Sequence, residues 1–115
     1  MIYTTPGGSY SRLYADMAQQ KHLLLAGATG SGKSTAIDGI LHAILHGSPA
    51  DDRLILIDIK KVELIDYHDL PHLHSYADDV PSALQALQTA IDIMLARYTD
   101  MQRRRIIDHW TRQSA

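Results

Sequence analysis

The sequence predicts an α/β fold, a parallel sheet covered by helices, and three observations lead there. Two short apolar runs, His22–Gly27 (HLLLAG) and Arg53–Asp58 (RLILID), lack polar alternation. Such runs suit strands buried on both faces of a parallel sheet. A segment with helical periodicity follows the first run, and a second, longer one closes the chain. The order strand, helix, strand, helix requires crossover connections, which are right-handed when the strands are parallel.

The elements follow in chain order. Pro6, Gly7, Gly8 and Ser9 read as a turn, and Leu13–Ala15 as a short strand. His22–Gly27 is the first buried strand. A helix is predicted from Lys33 to about His46, because Ile37, Ile40, Leu41, Ile44 and Leu45 form one apolar stripe. Gly47 ends it and Pro49 prevents continuation. Arg53–Asp58 is the second buried strand. Residues Lys60–Asp79 read as irregular, with Pro71 among them and a helical turn near Val62–Tyr67. The last helix is capped by Asp79 and accepts Pro81 in its first turn. Leu84, Leu87, Ile91, Met94, Leu95, Tyr98 and Met101 keep a period near 3.5 residues and are expected to pack on the sheet. This periodicity carries the helix to at least Arg105.

Composition narrows the function classes. With 115 residues the chain is one domain at most. It has no cysteine, which excludes a disulfide framework and a Cys-bound metal and favours a cytoplasmic setting. A net charge of −2 gives no overall attraction to nucleic acid or to an anionic membrane. No apolar run approaches the ~20 residues of a membrane span. The N-terminus lacks the pattern of a signal peptide.

The strongest motif lies between the first strand and its helix. GATGSGKS, Gly27 to Ser34, satisfies G-x-x-x-x-G-K-[ST]. A polyphosphate concentrates negative charge, and a loop that wraps it must turn its backbone N–H groups inward. Gly27, Gly30 and Gly32 permit those dihedrals and keep Cβ atoms away from the phosphates. Ala28, Thr29 and Ser31 contribute backbone to the same wrap. Lys33 sets an ammonium beside the β- and γ-phosphates, and the Ser34 hydroxyl ligates Mg²⁺. The next helix points its positive end at the anion. The expected ligand is ATP with magnesium.

Beyond this loop, HLLLAGATGSGKS, RLILIDIKKVEL, LPHL and LARYTDM resemble, in order and spacing, the FtsK/SpoIIIE DNA translocases. The likeness runs from about His22 to Met101. It implies a RecA-like P-loop NTPase of three αβα layers with a parallel sheet, incomplete in this stretch of sequence. It also implies Mg-ATP, a homo-oligomeric (hexameric) ring and double-stranded DNA as the track. Residues 1–21 then form a lead-in, and 22–115 a partial motor domain. Thr35 matches the position whose backbone N–H reaches the α-phosphate. Asp58, Lys60 and Glu63 match the family's Asp-Pro-Lys-x-x-Glu-Leu segment, with Ile59 in place of proline. The family's Walker B Asp-Glu pair, sensor strand, arginine finger and DNA-facing loops are expected beyond Ala115. On that basis the chain is expected to self-associate or to be marginally stable, and to hydrolyse little ATP.

Asp58 stays open between two readings. It ends an apolar strand, so it fits a magnesium carboxylate with Glu63 orienting water, as in a small P-loop kinase or GTPase. The RecA-like resemblance instead puts its strand at a sheet edge, away from the loop strand. A non-catalytic nucleotide-binding module is a further alternative. Among seven histidines, His42 and His46 lie at i, i+4 beside Asp38, and His68, His72 and His74 share one segment. A solvated helix face and local hydrogen bonding account for these more simply than metal, which usually asks for four protein ligands. Arg103–Arg105, with Arg97 and Arg112, read as a solvated helix end whose cations suit the helix dipole rather than as a DNA contact.

Overall fold

The computed structural model describes residues 2–4, 10–12 and 16–104. The turn expected at Pro6–Ser9, the strand at Leu13–Ala15, and Arg105 and Arg112 lie outside the described residues. Strands β1 (Ile2–Thr4) and β2 (Tyr10–Arg12) pair antiparallel. A short helix α1 (Met17–Gln20) precedes the loop, and helix α2 spans Lys33–Leu45. Strand β3 (Leu54–Ile57) pairs in parallel with β4 (Leu73–Ala77), and a single 3-10 turn at Ile65–Tyr67 lies on the connection. Helix α3 runs Val80–Arg104. No helix among the described residues is long and apolar enough to cross a membrane.

The β3–β4 pair is where the fold closes. The Leu54 amide donates to the His72 carbonyl at 2.9 Å, and the Asp58 amide to the Ala77 carbonyl at 2.8 Å, bracketing the ladder. β4 corrects the expectation that Lys60–Asp79 is irregular. Its residues LHSYA are too short and too mixed to announce a strand; pairing with the isoleucine- and leucine-rich β3 makes them one.

α3 begins as the sequence predicts. The Asp79 carboxylate accepts the Ser82 amide at 2.8 Å and the Ser82 hydroxyl at 2.5 Å. These bonds, hydroxyl first, hold the Asp79 carboxyl below its ordinary range. The face that packs is a correction. Ala83 and Ala86 are buried with Ala77, against Ile55 and Ile57. Leu84, Leu87, Ile91, Met94, Leu95 and Tyr98 are exposed, and of the predicted stripe only Met101 is buried. Two stripes of nearly the same period lie side by side on this helix. The alanine stripe wins the sheet because small side chains let the backbone approach closely.

A second correction concerns His22–Gly27, which is not a strand. Leu24 is 90% exposed and Leu23 is also exposed. Its composition suits a covered central strand, but a strand exists only when its backbone groups find partners. The described sheet offers none, since β3 pairs with β4 alone.

Candidate functional site

The loop from Gly27 to Ser34 is turned. The Ser31 amide donates to the Ala28 carbonyl at 3.1 Å. Gly30 has φ 80° and Gly32 φ 91°, left-handed values that glycine adopts without strain. A Cβ on Gly27 would meet the Ser31 hydroxyl, which would have to rotate away, whereas Gly30 and Gly32 are favoured by their left-handed dihedrals. Gly32 starts α2 and supplies no side-chain cap, which leaves the helix end to be satisfied by another acceptor. Lys33 opens the helix. Ser34 and Thr35 follow in its first turn, both exposed.

The Lys33 ammonium meets the Glu63 carboxylate at 2.8 Å, each side chain about one-third exposed (33% and 30%). In the sequence these two residues belong to separate motifs, and their separation along the chain gives no local signal that they touch. The structure brings them together through Asp58. One Asp58 oxygen accepts the Glu63 amide at 3.0 Å and the Leu64 amide at 2.9 Å. Lys61 takes a left-handed φ of 58°, bending the chain around that carboxylate. Asp58 is only 8% exposed. The Leu64 amide, helped by those of Glu63, Val62 and Lys61, outweighs burial and holds its carboxyl below the ordinary range.

Two further polar ties fasten α2 and the turn after it to the segment between β3 and β4. The Tyr67 hydroxyl donates to Asp38 at 2.8 Å, and this bond raises the phenol's pKa. The edge of the Tyr67 ring also meets His42. The buried His72 ring faces the Gly47 carbonyl at 2.9 Å through Nε2. The i, i+4 pair is used locally, with His46 Nδ1 at 2.7 Å from the His42 carbonyl. His68 contacts the Ile65 carbonyl and lies 3.1 Å from Asp69. Among the described residues no three His, Asp or Glu side chains are grouped to hold a metal. Arg104 pairs with Asp100 on α3 at 3.0 Å. Arg97 lines a cleft of about 260 Å³ with Arg53, His74, Ile55, Ala90 and Ile93.

A parallel strand pair with helices, and a G-x-x-x-x-G-K-[ST] loop opening one of them, define a P-loop α/β protein. The sequence comparisons refine that class. The FtsK/SpoIIIE family model matches residues 2–113, so the chain belongs to the FtsK/SpoIIIE family. It is 44% identical over 94 residues to the DNA translocase FtsK of Mycobacterium tuberculosis (strain ATCC 25618 / H37Rv), covering 80% of this chain and 11% of the relative. It is 48% identical over 85 residues to the DNA translocase FtsK of Treponema pallidum (strain Nichols), covering 72% and 11%. The protein of that name from Haemophilus influenzae is 42% identical over 85 residues, covering 72% and 16%. The chain thus spans between a tenth and a sixth of the length of these relatives. No solved structure matches it.

Proposed function

We propose that this chain is the ATP-binding portion of a double-stranded DNA translocase motor, working in the cytoplasm as part of a homo-oligomeric ring. The observation that supports it is the Lys33 ammonium, set at the start of α2 behind two left-handed glycines and closed on an anion. A triphosphate would replace that carboxylate. Amides from Ala28 to Thr35 would wrap the phosphates, Lys33 would neutralise them, and the exposed Ser34 hydroxyl is the hard oxygen donor that magnesium prefers. Magnesium, when bound, supplies charge neutralisation at the β- and γ-oxygens. The remaining motor parts, an acid that orients water and an arginine, come from other segments or subunits. DNA recognition rests on family membership and on the printed names of the relatives.

One observation favours binding without turnover in this polypeptide by itself. The segment that carries the loop has no sheet partner among the described residues, so no neighbouring strand there fixes an acid beside the loop. Asp58 fits a positioning role, since one of its oxygens already holds two amides.

Calorimetry with Mg-ATP tests the reading. Lys33→Ala removes a charge-assisted contact and should weaken binding by roughly 10- to 150-fold, the equivalent of about 1.5–3 kcal/mol. Unchanged affinity would refute the assignment. Hydrolysis by the full-length protein that rises on adding duplex DNA would support the motor; tight binding with no turnover, with or without DNA, would favour the nucleotide-binding module.

A further inference from the structure

The lysine of the G-x-x-x-x-G-K-[ST] loop has a partner that nothing in the loop motif requires. Glu63 approaches it to 2.8 Å from the segment after β3, thirty positions further along the chain. That segment is not loose. Asp58, buried at the end of β3, receives the Glu63 and Leu64 amides on one oxygen, and the Lys61 backbone is bent into a left-handed conformation around it. Glu63 is therefore delivered to Lys33 by a braced turn. The brace is rooted in the β3–β4 ladder, where the Asp58 amide donates to Ala77.

An ammonium has room for few anions at once. If a triphosphate occupies the position that the G-x-x-x-x-G-K-[ST] loop prepares, the Glu63 carboxylate and the phosphate oxygens compete for the same charge and repel each other. We infer that Glu63 is an internal counter-anion that nucleotide phosphate must displace from Lys33, so that the Asp58-braced turn registers whether the loop is filled. The inference rests on the phosphate-binding reading of the loop. It adds that a carboxylate of this chain competes with phosphate for Lys33, and that phosphate binding frees that carboxylate beside the phosphates.

Two measurements on the 115-residue chain test it. Glu63→Gln keeps the side chain's size and removes its charge. The first measurement needs no nucleotide: the rate at which an amine-reactive ester labels Lys33, followed by peptide mass spectrometry. Labelling should rise about two- to five-fold in E63Q, the worth of an ion pair with both partners partly exposed. The second is calorimetric affinity for Mg-ATP and for inorganic tripolyphosphate. Both should tighten in E63Q by a similar factor, and raising the salt concentration should shrink the difference. Faster labelling with unchanged or weaker binding of both ligands would overturn the competition. Unchanged labelling would overturn the ion pair itself. Faster labelling with no detectable binding by either protein would sink the phosphate-site reading and the competition that rests on it, while leaving the ion pair demonstrated.

Discussion

Placing alanine at Gly32 and at Gly39 separates backbone geometry from packing, because neither new methyl group meets a heavy atom within 4 Å. At Gly32 the backbone sits at φ 91° and ψ 10°. An L-residue there costs roughly 1–2 kcal/mol, or about 5- to 30-fold in an equilibrium constant. The loop is exposed, so without ligand the variant can relax to a cheaper conformation. The cost should then fall on binding: Gly32→Ala should lose about 5- to 30-fold in Mg-ATP affinity by that estimate, with a nearly unchanged urea midpoint. Gly39 lies in the exposed interior of α2 with no left-handed dihedral. Alanine there should stabilise the helix by about 0.8–1 kcal/mol and leave affinity alone. Calorimetry and urea unfolding, run side by side on the two variants, read both effects. The reasoning is refuted if Gly32→Ala binds within two-fold of the parent, or if Gly39→Ala weakens binding as much as Gly32→Ala does.

Two other outcomes follow from the same geometry. Leu24 is an apolar side chain left in solvent on a segment with no sheet partner among the described residues, so Leu24→Lys should reduce self-association without lowering the urea midpoint; sedimentation velocity that shows equal association in parent and variant would contradict this. The Asp58 carboxyl is held low in the folded protein, so its contribution is fully present above the unfolded-state value near 3.9 and is lost as pH falls through the folded-state value. The stability difference between the parent and Asp58→Asn should therefore shrink as the pH is lowered from about 5 to about 3, and a constant difference over that range would contradict the bracing role.

The sequence was most informative where function or local chemistry dictates residues one by one. The loop could be read from Gly27, Gly32, Lys33 and Ser34 because their spacing along the chain is itself the geometry. α2 and the Asp79 cap of α3 were legible for the same reason: the hydrogen bonds that define them join residues three or four apart. Two elements went the other way. His22–Gly27 has the composition of a central strand and is not one, and Leu73–Ala77 lacks that composition and is one. Family membership, too, was legible from ordered segments rather than from any single motif.

What the sequence by itself determined about this protein is therefore local: a turned glycine-rich loop that carries the G-x-x-x-x-G-K-[ST] pattern, a helix that begins at its lysine, a capped final helix and a place in the FtsK/SpoIIIE family. Tertiary structure alone decided that Glu63 meets Lys33, that Asp58 braces the turn between them, and that alanines rather than leucines cover the sheet. The reason is physical. Helix and turn hydrogen bonds close over a few residues and leave a period in the sequence, whereas an ion pair or a strand ladder joins distant segments whose meeting depends on the whole packing.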